Sequence, residues 1–218
     1  MRSDRINEIS NTLNKMSGKY APYEVFSDWV RCMALAFANS CQPIQDSVWK
    51  AREEDYKQTM GKYTEEERSS FMEMMALLTL EYEENPRDVL GDIFMYGNMG
   101  NSAGGQFFTP YNISELMARI SVRYTGETIL LNEPSCGGGA SIIAAAMKLK
   151  EAGVNYQKVM QVIAQDLDWR CVHMCYVQMS FLGINAICVQ GDTLREPYVK
   201  GYDRRKMLWT PKAMGVLL

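Results

Sequence analysis

The chain has 218 residues, 47% hydrophobic and 22% charged, with a formal net charge of −3. Such a composition gives an ordinary globular protein with ample apolar material for a core, and two structural parts are expected at this length. No apolar run reaches membrane-spanning length, and the N-terminal MRSDRINEIS does not read as a signal peptide. Six cysteines, at 32, 41, 136, 171, 175 and 188, form no C-x-x-C pairs, so reduced thiols in a cytoplasmic protein are expected.

Residues 1–100 read as a helical N-terminal domain. Tyr23 to Asn39, Ile44 to Met60 and Glu65 to Glu83 repeat apolar residues at three- and four-residue spacing, and Thr64 with Glu67 makes a capping box for the third. Pro86 stands at a helix start and leads into Arg87 to Gly97. The methionine-rich FMEMMALLTL, Phe71 to Leu80, reads as core packing, with an adaptable partner-binding face as the alternative. GNMGNSAGG, Gly97 to Gly105, reads as a hinge into a second domain, residues 101–218.

In that second part an apolar run, Thr128 to Leu131, feeds Glu133-Pro134-Ser135-Cys136-Gly137-Gly138-Gly139-Ala140-Ser141, and a small-residue helix follows over Ile142 to Met147. A strand, a glycine turn and a helix N-terminus let a ligand lie against bare backbone near helix-start amides, which suits a nucleotide-like molecule carrying polar groups. The spacing is neither G-x-G-x-x-G nor a P-loop ending in Gly-Lys-Ser/Thr, which argues against NAD and ATP. Glu133 at the strand end would repel a pyrophosphate and could hold a cationic amino group.

Two further apolar runs end in acidic residues: VIAQDLD, Val162 to Asp168, and AICVQGDTL, Ala186 to Leu194. Strand ends of this kind are where open α/β sheets meet ligands. A fourth run, KMLWTPKAM, follows. Four parallel strands are predicted near Thr128 to Asn132, Val159 to Gln165, Ala186 to Gln190 and Lys206 to Thr210. The fourth would expose an unpaired apolar edge needing a covering helix, a homodimer partner, a second chain or the rest of a longer protein. Asp168 is expected to cap the helix after the second strand. His173, the single histidine, reads as a surface or packing residue, and no metal site is expected from Cys171 and Cys175 on the same helix.

Charge divides the halves: residues 1–100 carry 11 basic and 17 acidic side chains (−6), and residues 101–218 carry 12 and 9 (+3). The first half is therefore a poor DNA binder by itself. Lys200, Arg204, Arg205, Lys206 and Lys212 are candidate phosphate contacts, with a solvated loop face as the equal alternative.

In chain order, GQFFTP (Gly105 to Pro110), the glycine turn, VIAQDLD and AICVQGDTL together resemble the adenine-N6-specific DNA methylases, in particular the methylase (modification) subunit of type I restriction systems. The resemblance covers roughly Asp88 to Leu194, and DVLGDIFMYGN is in keeping with it. It implies a class I, Rossmann-like α/β methyltransferase domain, here with an incomplete sheet, behind a helical N-terminal domain. S-adenosylmethionine (SAM) is the implied cofactor. Gln106, Thr109 and Pro110 belong to the element that would close over its methionine part. Glu133, Ser135, Gly137 and Gly139 would line the pocket for its amino and carboxylate groups. Asp166 would accept hydrogen bonds from the ribose hydroxyls, and Asp192 from the adenine amino group.

The family's fourth strand ends in Asn/Asp-Pro-Pro-aromatic, which holds a flipped base. This chain has no such tetrapeptide; Trp209, Thr210 and Pro211 stand in the slot, with a core or edge aromatic as the alternative reading of Trp209. Two functions are therefore weighed: adenine-N6 DNA methylation, acting with a separate specificity subunit, and a non-catalytic SAM-binding or interaction module working through a partner.

Overall fold

The structure, a computed structural model, describes residues 3–96 and 108–216, with Tyr96 given by its backbone alone. The hinge segment, the boundary at residue 100 and Gln106 lie outside the described residues. Five helices come first: α1 (Asp4–Met16), α2 (Pro22–Cys41), α3 (Ser47–Met60), α4 (Glu65–Glu84) and α5 (Val89–Tyr96). Their starts are set by side chains that satisfy otherwise unpaired amides. The Asp46 carboxylate accepts from the Val48 and Trp49 amides, both at 3.0 Å. Thr64 and Glu67 form the expected capping box, the Thr64 amide donating to the Glu67 carboxylate at 2.8 Å. The fourth expected helix begins at Val89 rather than at Pro86. Helix α1, not anticipated, buries Ile6, Ile9, Leu13 and Met16 from one stripe. In the methionine-rich segment Phe71, Met74 and Leu78 are buried while Met72 and Leu80 are exposed, an amphipathic core helix.

After α6 (Tyr111–Ser121) come β1 (Ile129–Glu133), α7 (Ala140–Glu151), the short α8 (Tyr156–Val159), β2 (Met160–Asp166), α9 (Trp169–Phe181), β3 (Asn185–Gln190) and β4 (Met207–Trp209). The sheet order is β1-β2-β3-β4. Strands β1 to β3 are parallel, but β4 pairs antiparallel with β3, which corrects the expectation of four parallel strands. A parallel return needs a crossover, usually a helix, to carry the chain back along the sheet. Between β3 and β4 the chain makes a single 3-10 turn, Arg204–Lys206, and no α-helix, so it turns round and runs back beside β3.

Consecutive parallel strands joined by right-handed crossovers put both connecting helices on one face of the sheet. The register bears this out in burial. One face carries Met160, Val162, Ala164, Ala186, Cys188 and Leu208, all buried in the common core. The other face carries Leu130, 78% exposed, with Ile163 and Ile187 half-buried and Trp209 39% exposed. On that second face only the end near the strand C-termini is covered, where buried Gln165 donates to the Glu196 carbonyl (2.8 Å) and accepts from the Tyr198 amide (3.1 Å) of the β3–β4 link.

Strand β4, expected as an edge of the sheet, is one. It is short, and the Arg52 guanidinium of α3 donates to the Met207 carbonyl on it at 2.8 Å. Among the described residues β1 and β4 are the two strands with a neighbour on one side only. Helix α6 packs on α7 through its small residues Ser114 and Ala118, leaving Ile113, Leu116, Met117 and Ile120 exposed on its other side.

Helical and sheet parts share one core. Helix α2 lies along α9, the Phe37 ring meets Phe181 edge-on at 5.5 Å, and Tyr82 of α4 stacks on the same ring at 5.0 Å.

Candidate functional site at the strand C-termini

The glycine turn follows β1 directly. Gly137 and Gly139 have φ of +50° and +96°, backbone that disfavours any side chain, and Gly139 caps the start of α7. Neighbours enforce the same choice. A Cβ at Gly138 or Gly139 would press on Met174, Cys175 and Met179 of α9, at 2.7 to 3.1 Å for the nearest atoms. One at Gly137 would meet the Phe108 ring at 3.1 Å. Phe108 in turn packs edge-on against Phe94 at 4.8 Å, so the GQFFTP element touches the glycine turn through its second phenylalanine. Thr109 and Pro110 are exposed at the start of α6.

Three strand ends converge on this turn. The Asp166 carboxylate accepts from the Gly137 amide at 2.9 Å and, through its other oxygen, from the Asp168 amide at 3.0 Å. The Cys136 amide donates to the Gln165 carbonyl and the Gly191 amide to the Asp166 carbonyl, both at 2.9 Å. Beyond β3, the Thr193 hydroxyl donates to the Pro134 carbonyl at 2.6 Å. Asp192 accepts from the Leu194 amide at 3.0 Å and lies 3.6 Å from the Arg195 guanidinium. Glu133, Asp166 and Asp192 thus sit on successive strand ends tied by backbone hydrogen bonds. Burial pushes the Glu133 carboxyl above its usual range, and the negative Asp166 adds to this while the Ser135 amide opposes it. Ser135 is exposed on the turn. Asp168 is the N-cap of α9, accepting from the Arg170 amide at 2.9 Å.

A residue missed in the sequence organises the underside of the turn. Gln178, fully buried on α9, donates to the Gly138 carbonyl and to the Asp88 carboxylate, both at 2.7 Å, and accepts from the Leu90 amide at 3.1 Å and from the Tyr82 hydroxyl. One side chain therefore fastens the glycine turn to α4 and to the start of α5. Burial drives the Asp88 pKa up to about 6, against the hydrogen bonds from Gln178 and Gly91.

Other expected site residues fall elsewhere. Because β4 is antiparallel, its far end lies beside the start of β3. The buried Thr210 hydroxyl donates to the Ile184 carbonyl at 2.8 Å and accepts from the Ala186 amide at 3.1 Å. Trp209, Thr210 and Pro211 are accordingly at the opposite end of the sheet from Glu133, Asp166 and Asp192, and Thr210 is a fastener there. Of the basic group, Lys200 is exposed, whereas Arg204, Arg205 and Lys206 pair with Asp46 (3.0 Å), Asp203 (2.7 Å) and Glu196 (2.8 Å). His173 is buried and stacked on Trp169 at 5.1 Å; burial, with the Arg31 charge adding, lowers its pKa to about 3, so it is a neutral packing residue. The Cys136 thiol, hydrogen-bonded with Cys175 and buried, is held in its protonated form.

Comparison with known proteins bears on the family of the chain. The sequence profile of the N-6 DNA Methylase family matches residues 85–211, more than half of the chain. The chain is 28% identical over 122 residues to the type I restriction enzyme MpnII methylase subunit of Mycoplasma pneumoniae, an alignment covering 52% of this chain and 22% of that protein. A crystal structure of the type I restriction-modification system methyltransferase subunit from Streptococcus thermophilus superposes with a TM-score of 0.48 at 19% identity, over 87% of this chain and 43% of that one. The chain thus spans less than half the length of either relative.

Proposed function

Because the chain belongs to the N-6 DNA methylase family, we propose that it is the cofactor-holding portion of a type I, restriction-modification-like DNA adenine methyltransferase, binding SAM at the C-terminal ends of β1 to β3. The observation that carries the reading is the Asp166 carboxylate, hydrogen-bonded to the glycine turn at Gly137. Each of its oxygens already accepts one backbone amide, and an ionised carboxylate has about four acceptor sites, so both can still take a hydroxyl from a ribose. The residues fit the rest of the cofactor by charge and shape. Glu133 offers an anion for a cationic amine, the positive-φ glycine turn offers close backbone approach, and Asp192 can turn an oxygen to an amino group in place of its 3.6 Å pairing with the exposed Arg195. SAM supplies an electrophilic methyl group when bound. The chain's own residues hold and orient it: Asp166 fixes the sugar, Glu133 and the turn fix the amino-acid end, and Thr109 and Pro110 close the rim.

A second reading is favoured by one observation, the position of Trp209, Thr210 and Pro211 at the opposite end of the sheet. On that reading the group that holds the target base comes from another polypeptide segment, entering beside the β1 edge of the sheet, and DNA is engaged together with a specificity subunit. Titration calorimetry with SAM tests the cofactor site. Wild-type chain is expected to bind, and Asp166→Ala to weaken binding at least tenfold, the equivalent of about 1.4 kcal/mol. A folded wild-type chain that binds no SAM defeats the proposal. Transfer of labelled methyl groups to adenine-containing DNA by this chain alone would defeat the second reading.

A further inference from the structure

Between the helical part and α9 lies a cavity of about 440 Å³, within the range of small-molecule sites. Four arginines line it, Arg31 and Arg52 from α2 and α3, Arg170 from α9 and Arg205 from the approach to β4. Its two lining carboxylates are engaged: Asp55 by Arg31 at 2.6 Å, and Asp28 by Lys62 at 2.9 Å and the Tyr63 hydroxyl at 3.0 Å. Arg170 and Arg205 make two-pronged pairs with the carboxylates two residues before them, Asp168 and Asp203, and keep 52% and 79% of their own side chains exposed. Arg52 differs. It is half-buried, and its guanidinium donates to neutral acceptors, the Met207 carbonyl at 2.8 Å and the Gln42 side chain at 3.2 Å. An entering group thus meets guanidinium forks matched to phosphate geometry, and among the described residues Arg52 makes no direct ion pair, the Asp46 charge acting on it from farther off.

The remainder of the lining is apolar and aromatic. Leu35, Val48 and Leu208 form walls that favour a ligand with more than a bare ion to offer, and Trp169 stands beside them stacked on the neutral His173. Indole and guanidinium planes both stack on nucleobases. We propose that this cavity is a nucleotide site, taking a nucleoside monophosphate unit with its phosphate on Arg52 and Arg205 and its base against Trp169, separate from the turn at Gly137 and Asp166. The unit is either a free nucleotide or one nucleotide of a single strand, which share this chemistry.

The test is calorimetry on the full chain with AMP, adenosine, inorganic phosphate and a short single-stranded oligothymidylate. AMP is expected to bind at least tenfold more tightly than adenosine or phosphate, and excess SAM is expected not to displace it. Arg52→Gln should weaken AMP at least tenfold. Arg205→Gln, an exposed change that leaves folding intact, should weaken it severalfold, and circular dichroism reports whether Arg52→Gln remains folded. Tighter binding of the oligonucleotide than of AMP assigns the site to a strand; the reverse assigns it to a free nucleotide. The proposal is overturned by no AMP binding at millimolar concentration, by phosphate binding as tightly as AMP, by displacement with SAM, or by folded Arg52→Gln and Arg205→Gln chains that bind AMP like wild type.

Discussion

The two ends of the sheet are built differently. At the C-terminal ends of β1 to β3, polar contacts join loops far apart in the chain: Gly137 to Asp166, Thr193 to Pro134, and Gln178 to Gly138, Asp88, Leu90 and Tyr82. At the other end one side chain, Thr210, closes the hairpin between β3 and β4. The first arrangement fixes the shape of a turn with acidic groups around it. The second only fastens a strand. Changes at the first end should alter both stability and ligand binding, whereas changes at the second should alter stability alone.

The strongest break of this contrast is Gln178→Leu. It leaves Asp88, the Gly138 carbonyl, the Leu90 amide and the Tyr82 hydroxyl without their buried partner, and a loss of about 4 kcal/mol is expected in denaturant unfolding, with SAM affinity falling in any fraction that stays folded. Gly139→Ala comes next. Its φ of +96° and the nearness of Met179 and Cys175 give an expected loss of about 3 kcal/mol, with weakened SAM binding.

Asp88→Asn should act in the opposite direction. The folded carboxyl, at about 6, titrates above its ordinary 3.8, so the native state holds the proton more tightly than the unfolded chain. That contribution is complete below about pH 4 and is lost as pH rises through 6, so at neutral pH the buried charge is a net cost. The amide should raise stability by about 2 kcal/mol at pH 7 and by nothing at pH 4, as pH-dependent thermal unfolding will show. Smallest is Thr210→Val, which removes the hydroxyl's hydrogen bonds with Ile184, Ala186 and Ala213 for about 1.5 kcal/mol while leaving SAM affinity at the wild-type value. A Thr210→Val chain that binds SAM poorly would erase the distinction between the two ends.

Much of the first end could be read in the residues. The glycines at 137 to 139 are legible as a strand-to-helix turn where a ligand can lie against bare backbone, and acidic residues at strand ends stand out against the apolar runs before them. The second end could not be read. A run as short as Met207–Leu208–Trp209 has the same pattern in either direction, and only the missing helix after Gln190 decides that it runs back. The glycines' other constraint, the close approach of Met174, Cys175 and Met179, is tertiary and leaves no local trace. Gln178 was equally hidden, since a glutamine on a helix ordinarily faces water. Helix α6 misleads in the reverse sense: its apolar stripe at Ile113, Leu116, Met117 and Ile120 has core spacing yet faces outward.

Gln178 has one more consequence, for how the chain comes apart. Its amide is shared by α4, α5 and the glycine turn, within a core that runs without a break from α1 to β4. Opening either part exposes the other's unpaired groups and the shared rings of Tyr82 and Phe181. The helical N-terminal segment therefore has no low-energy way to detach while the sheet remains, and slowest-exchanging amides are expected on α2 and α9 together, released in a single cooperative transition.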